Sequence, residues 1–423
     1  MARMPLGKLQ GRCENNSIMT PTRGSSRFGQ LLLCIFSFCP MIWTQSVIDP
    51  PPRQAKGSYR SPYAAVDDLL RKEYLKDKRG GIGFGIVRGG KLVWTRSYGY
   101  ADERKKVAAT VDTEYPIGSI TKQFLGLMLL QLADAGRVHL SEPVARYYPD
   151  IQEIENPYPW SSPITFVQLA SMSAGLPASP FSVNDPDAQG TMDQWEENLH
   201  HALKHTQYVY EPGTRRLYSN IGYAILAAAL EHAAGRKFQD YIELEILRPL
   251  RMNDTGFTDR ASAKMATGYF LGRLDVPADT PQRQNTEFGY LFPAGGLYSS
   301  IKDLAKFMMF ELGHGPDSVL SGESLERAFT GMVVSDANLV YGDGIPFSAV
   351  RNEDSTFVAV GHGGLRLGFT SYLGIDRSTD TGIILLSNMS GGKADYKPLC
   401  RRILSMLNPR SRGGTGRAPS ESH

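Results

Sequence analysis

Cysteine is scarce where it would matter. The 423-residue chain holds 4 cysteines, and Cys13, Cys34 and Cys39 all precede residue 46, which leaves Cys400 alone in the body. One thiol can build neither an internal disulfide nor a cysteine-based zinc site. Long apolar runs are missing too: Leu31 to Phe38 is far short of the roughly 20 residues that cross a bilayer. A surplus of one charge sign is also lacking. The net charge is only +3, and residues 1–46 carry Arg3, Lys8, Arg12, Arg23 and Arg27 against Glu14 alone, so the rest of the chain is close to neutral. A neutral body offers no basic stripe to nucleic acid or to an anionic membrane. Gly-x-Ser-x-Gly is absent, which argues against an α/β-hydrolase.

What is present points to a large globular enzyme or two domains. Hydrophobic residues make up 41% and charged residues 21% of the chain, values that exclude a disordered, collagenous or coiled-coil protein. Residues 1–46 read as a secretory leader, with basic residues up to Arg27, the apolar run, and small or polar residues at Thr44-Gln45-Ser46. Met19 is an alternative start. Neither Cys34 nor Cys39 follows Gly, Ala or Ser, so a lipid anchor there is poorly supported. The expected location is therefore periplasmic or extracellular. Residues 47–60 form a Pro-rich linker, and residues 410–423 are a Gly/Ser/Arg-rich tail expected to be disordered.

Between these ends the pattern changes twice. Ser61-Pro62 starts a helix whose apolar face is Tyr63, Val66, Leu70 and Tyr74. Ile82 to Val87 and Leu92 to Tyr98, joined at Gly89-Gly90, predict a β-hairpin. Ile120 to Ala135 is apolar on nearly every side, as a helix at the centre of a domain would be. A second Ala/Leu-dense helix is predicted from Ile221 to Ala234. Strands return at Phe357 to Val360, Thr370 to Ile375 and Gly382 to Ser387, before a helix around Leu399 to Leu407. Strands at both ends with helices between predict an α+β fold: an antiparallel sheet built from 61–118 and 286–409, flanked by helices, with a helical subdomain inserted at 119–285.

Chemistry concentrates at three places. Ser119 and Lys122 stand three apart at the head of the buried helix, so they share a face and the amine can reach the hydroxyl. Serine needs a base to act as a nucleophile, and a buried lysine can serve once desolvation disfavours its ammonium form. The helix N-terminus adds free N–H groups suited to an oxyanion. Tyr218-Ser219-Asn220 precedes the Ile221 helix, where a phenol and an amide can project from a loop into a cleft. His362-Gly363-Gly364 follows the Phe357 strand, and glycines at a strand end admit a substrate backbone alongside.

Ser-x-x-Lys, Tyr-x-Asn and His-x-Gly in this order are the pattern of the penicillin-recognising serine hydrolases. The chain resembles the class C β-lactamase-related family over Ser61 to Leu407, including Leu176-Pro177, Glu211-Pro-Gly213, Met252-Asn-Asp-Thr-Gly256 and Ala294-Gly-Gly-Leu-Tyr-Ser299. The resemblance implies Ser119 as nucleophile, Lys122 as its base partner and Tyr218 as proton shuttle to the leaving group. It further implies that Asn220 binds the acyl chain and that the N–H groups of Ser119 and Leu365 form the oxyanion hole. No cofactor and no metal are implied, and the partner is a small ester, amide or peptide. Family β-lactamases carry Lys-Thr-Gly where this chain has His362-Gly363-Gly364, and Leu365 stands where related peptidases often have a hydroxyl, so the grip on a substrate carboxylate is weakened. Arg366 could restore a cation. These features favour an esterase-like hydrolase over a D,D-peptidase, a weak β-lactamase or a catalytically silent peptidoglycan-binding protein, since a binder has no need of Ser119, Lys122 and Tyr218 together. A monomer or weak oligomer is expected.

Other signals have plainer readings. Gly81-x-Gly83-x-Gly85 lies inside a predicted strand with no helix to receive a phosphate. His201 and His205 lack a third metal ligand in sequence and read as a solvated helix face. Tyr158, Trp160, Trp195, Tyr290 and Phe292 are assigned to the core of the helical part.

Overall fold

The structure is a computed structural model that describes residues 63–182, 186–257, 262–271, 281–282, 288–330, 333–334, 340–341, 348–351 and 357–407. The leader, linker and tail expectations lie outside these residues. The central element is a seven-stranded sheet. Helix α1 (Ala64–Tyr74) leads into β1 (Gly81–Arg88), β2 (Lys91–Asp102) and β3 (Val107–Ala108); after the helical region come β4 (Ser348–Arg351), β5 (Phe357–Arg366), β6 (Phe369–Asp376) and β7 (Thr381–Ser387). The order across the sheet is β4-β5-β6-β7-β1-β2-β3, with every neighbouring pair antiparallel. The central pair, β1 with β7, thus joins the two ends of the chain, with Ile82 opposite Ser387 and Arg88 opposite Thr381.

Alternation of side chains sorts the sheet into two faces. Ile82, Phe84 and Ile86 of β1 and Ile383 and Leu385 of β7 pack with Val66, Leu70, Leu399, Cys400 and Ile403. The terminal helices, α1 and the C-terminal helix Tyr396–Leu407, therefore cover one face. Ile384 and Leu386 point the other way, into the main core. On that face Gly83 and Gly85 present no side chain, and a Cβ at either would sit 3.0 or 2.9 Å from Ile301, so the helix Ile301–Met309 packs directly on the strand. That contact accounts for Gly83 and Gly85, whereas a Cβ on Gly81 would meet Ala109 and the carbonyls of Tyr98 and Tyr100 at 2.9 Å.

The main core is built around two helices without a polar face. In α2 (Thr121–Asp134) all residues from Thr121 to Leu130 are buried, and in α3 (Asn220–Ala234) all from Ile221 to Leu230. Each ends at a glycine in the left-handed region, Gly136 (φ +67°) and Gly235 (φ +65°). The segment 119–285 is less purely helical than expected. Gly256–Phe257 and Gly268–Phe270 are short strands inside it, and Gly256–Phe257 pairs with Leu297–Ser299, which also pairs with Tyr115–Pro116. The segment Met252–Gly256 meets the helix Ile301–Met309: Asp303, 1% exposed, accepts from Asp254 N (2.6 Å), Thr255 Oγ1 (3.0 Å) and Lys306 Nζ (2.6 Å).

Candidate active site

The turn that carries Ser119 is formed by a change of direction that needs glycine. Ile117 N donates to Leu297 O (2.9 Å), after which Gly118 adopts φ +53° and starts a 3₁₀ turn, Gly118–Ile120, that runs into α2. A Cβ on Gly118 would lie 2.8 Å from Leu365 N and 2.9 Å from Leu365 O, so the turn lies directly against the backbone of β5. Thr121 Oγ1 donates to Gly118 O (2.7 Å) and accepts from Leu297 N (3.1 Å), fixing the helix start. Ser119 therefore sits on a rigid corner with a core helix behind it.

Three side chains converge on this corner. The Lys122 ammonium donates to Ser119 Oγ (3.2 Å), Asn220 Oδ1 (2.8 Å) and Ala294 O (2.8 Å), and Tyr218 Oη donates to Ser119 Oγ (2.6 Å). Lys122 is fully buried and faces the rings of Tyr218 and Tyr223 at 5.0 and 5.5 Å. Burial pushes its pKa down, while Tyr218 partly opposes the shift. Burial alone would raise the Tyr218 phenol, but the adjacent Lys122 charge outweighs it and brings the pKa below the ordinary value. Asn220 is the first residue of α3 rather than part of the preceding loop. Ser219 caps that helix, accepting from Gly222 N (2.9 Å) and donating to Pro177 O (2.7 Å). The cap holds Tyr218 and Asn220 over Ser119 and Lys122.

The third motif differs from its sequence reading. His362-Gly363-Gly364 does not end a strand; β5 continues through Leu365 and Arg366, paired to β6 up to Arg366 opposite Phe369. Beyond Gly361, where β4 stops, its other edge turns toward Gly118. Gly364 makes room for the protein itself rather than for a substrate backbone. A Cβ there would lie 1.9 Å from Ile117 O and 2.2 Å from Ser371 Oγ, whose hydroxyl donates to Ile117 O (2.7 Å). A Cβ on Gly363 would meet nothing closer than Ser371 O at 3.7 Å. His362 is buried, and burial together with the charge of Lys122 lowers its pKa to about 3, so its imidazole is neutral. Leu365 is 70% exposed beside the corner. Arg366 is not a cation held out toward the cleft: it is 6% exposed, donates from Nη1 to Gly295 O (3.0 Å) and lies 3.7 Å over the Phe288 ring.

Among the remaining candidates, Trp195, Tyr290 and Phe292 are core residues, whereas Trp160 is 71% exposed with Tyr158 against its edge. His201 and His205 flank Phe181, at ring distances of 5.7 and 5.3 Å. The histidine that meets two carboxylates is His200, in an exposed ion-pair cluster with Asp150 and Glu153. Sequence reading missed the carbonyls of Ala294 and Gly295 and the hydroxyls of Thr121 and Ser371. Backbone acceptors leave no trace in residue type, although the family-like run from Ala294 to Ser299 marks the segment.

A seven-stranded antiparallel sheet with helices on both faces, carrying Ser, Lys and Tyr in mutual hydrogen-bond reach, defines the β-lactamase/transpeptidase-like class. The chain belongs to the beta-lactamase family, whose model matches residues 66–405. Protein flp of Staphylococcus aureus is 27% identical over 347 residues, 81% of this chain, and the chain spans 65% of that relative's length. Beta-lactamase-like protein 2 of Dictyostelium discoideum is 28% identical over 335 residues, 77% of this chain and 59% of the relative. Among solved structures, the octameric penicillin-binding protein homologue from Pyrococcus abyssi superposes with a TM-score of 0.69 at 26% identity, over 82% of this chain and 77% of that one. A class C β-lactamase gives 0.67 at 20% identity over 82% and 96%, a likeness of fold.

Proposed function

We propose that the protein is an acyl-enzyme serine hydrolase that favours uncharged esters over substrates bearing a carboxylate beside the scissile bond. The observation that carries the reading is the convergence of Tyr218 Oη (2.6 Å) and Lys122 Nζ (3.2 Å) on Ser119 Oγ. With its pKa lowered by the Lys122 charge, Tyr218 can take the Ser119 proton as Oγ attacks the substrate carbonyl. The developing oxyanion would be received by the N–H groups of Ser119 and Leu365. Tyr218 then returns the proton to the departing alkoxide or amine, leaving an acyl-Ser119 ester, which water cleaves by the same steps in reverse order. Asn220, on Lys122 through Oδ1, keeps its amide N–H₂ for the acyl chain.

The substrate preference rests on what faces the corner. His362 is neutral, Gly363 brings no hydroxyl, Leu365 is apolar, and Arg366 is turned onto Gly295 and Phe288. A carboxylate bound there without partners costs on the order of 1–3 kcal/mol, roughly ten- to a hundredfold in selectivity. The test is intact-mass analysis and kcat/KM with p-nitrophenyl butyrate, benzylpenicillin and a D-Ala-D-Ala peptide, on wild type and Ser119→Ala. The expected order places the ester first, with no adduct on Ser119→Ala. Faster penicillin or peptide turnover would assign the protein to the β-lactamase or D,D-peptidase reading, and no adduct on wild type would assign it to the binding reading. Export through residues 1–46 belongs to the same proposal, and a mature N-terminus near Val47 is its check.

A further inference from the structure

Arg366 interrupts the expected chemistry of its position. A guanidinium one residue beyond the Leu365 edge would be placed to meet an anionic substrate, yet here it is buried and bonded within the protein. Its contacts follow a closed path around the nucleophile. Gly364 and Leu365 lie against Ile117 and Gly118. Gly118 in turn neighbours the turn Phe292–Gly295, since a Cβ on Gly295 would stand 3.6 Å from Gly118 C and 3.0 Å from the Phe288 ring. Arg366 Nη1 closes the path by donating to Gly295 O at 3.0 Å, while the Phe288 ring supports the guanidinium at 3.7 Å. The preceding carbonyl, Ala294 O, is the acceptor that holds Lys122 Nζ at 2.8 Å.

We propose that Arg366 is a positioning residue for the acylation step: by clamping Gly295 O it fixes the Ala294 carbonyl, and through it the direction of the Lys122 amine toward Ser119. The inference rests on the Ser119–Lys122–Tyr218 reading. A lysine amine carries three donors on a flexible four-carbon stem, and its aim is only as well defined as the acceptors around it. Of the acceptors here, Asn220 Oδ1 rides on the capped α3 helix, whereas Ala294 O sits in the last turn of the short helix Phe292–Gly295, among the carbonyls that a helix end leaves without an intrahelical partner. A charge-assisted bond from a buried guanidinium, stacked on an aromatic ring, anchors that last turn at Gly295 O. Burial lowers the Arg366 pKa to about 10, which leaves it cationic at neutral pH.

The experiment compares wild type, Arg366→Met, Arg366→Lys and Phe288→Leu for the saturating rate of Ser119 phosphonylation by a fluorophosphonate, in which Oγ bonds to phosphorus as fluoride leaves, the reagent concentration at half-saturation, and the melting temperature. Arg366→Met is expected to lower the saturating rate at least tenfold, with the half-saturating concentration within about a factor of two, because positioning acts on chemistry rather than on encounter. Arg366→Lys keeps a donor and should recover a substantial part of the rate. Phe288→Leu should show a smaller loss in the same parameter, and it carries the test if Arg366→Met does not fold. A wild-type rate in Arg366→Met, a Lys variant as slow as the Met variant, or a loss confined to half-saturation would overturn the proposal. Failure of wild type itself to be phosphonylated at Ser119 would instead overturn the hydrolase reading.

Discussion

Gly364→Ala should disable the site by moving backbone rather than by removing a functional group. In an extended strand alanine has no conformational penalty, so any effect comes from the added methyl. That methyl would lie 1.9 Å from Ile117 O and 2.2 Å from Ser371 Oγ, where ordinary contact begins at 3.4 Å. The strand and the nucleophile turn must therefore separate by more than about 1 Å, and the Ser371–Ile117 bond must lengthen or break. A misplacement of that size costs about 10²-fold in rate, and losing an oxyanion donor such as Leu365 N–H costs about 10²–10³-fold. We therefore expect the acylation rate to fall by about two to three orders of magnitude, with an overpacking cost of about 1–3 kcal/mol in stability. Gly363→Ala, one residue away, where the added methyl would meet its nearest atom at an ordinary contact distance of 3.7 Å, is the control and should stay within about a factor of two of wild type. Stopped-flow acylation with a chromogenic ester, alongside urea unfolding of both variants, reads the two quantities. Equal acylation rates in the two alanine variants would refute the steric reasoning.

Two further outcomes concern stability. Glu311 is fully buried, and neither carboxylate oxygen has a partner among the described residues, so burial raises its pKa well above normal despite Arg377. Because the folded pKa is the higher one, the contribution to stability is complete below the unfolded value of about 4.3 and declines as pH rises above it, by about 1.4 kcal/mol per pH unit until the folded pKa is passed. Glu311→Gln should remove that slope, and parallel urea-unfolding profiles for variant and wild type between pH 5 and 8 would show the assignment to be wrong. Asn388 accepts from Gly81 N (2.5 Å) and donates to Tyr100 O, Ala101 O and Thr267 O (3.1, 3.0 and 2.7 Å). Asn388→Ala strands these buried groups and should cost about 2–4 kcal/mol; a loss below about 1 kcal/mol in the same assay would contradict that count.

The parts of the molecule legible in sequence are those in which residue type and spacing carry the information. The hairpin at Gly89-Gly90, the two helices without a polar face and the strand from Gly382 to Ser387 follow from period and apolar content, and the structure places their ends within a residue or two, except that the second hairpin strand runs four residues beyond Tyr98 to Asp102. Ser119, Lys122, Tyr218 and Asn220 stand out in sequence because their chemistry is unusual at their spacing, and the structure brings them within hydrogen-bond reach of one another. The surroundings of Gly364 and Arg366 are not legible in sequence, for one shared reason. Their roles depend on what lies across from them, Ile117 and Ser371 in one case and Gly295 and Phe288 in the other, and those partners are 70 or more residues distant or carry no distinctive side chain. Asn388 escaped notice altogether, because a lone polar residue after a strand gives no sign that four backbone groups converge on it.

The pairing of β1 with β7 also dictates when the protein can fold. Residues 81–88 leave the ribosome some 300 residues before their partners at 381–387, and closing so long a loop precedes any gain from the central strand pair. Until then β1 lacks one neighbour, and Ile82, Phe84 and Ile86 lack both the C-terminal helix and the second strand that cover them. The growing chain thus presents an apolar edge throughout synthesis. A chain cut before Thr381, or begun after Arg88, would lose a strand from the middle of the sheet rather than its margin, so both ends of the fold must be present before its centre can close.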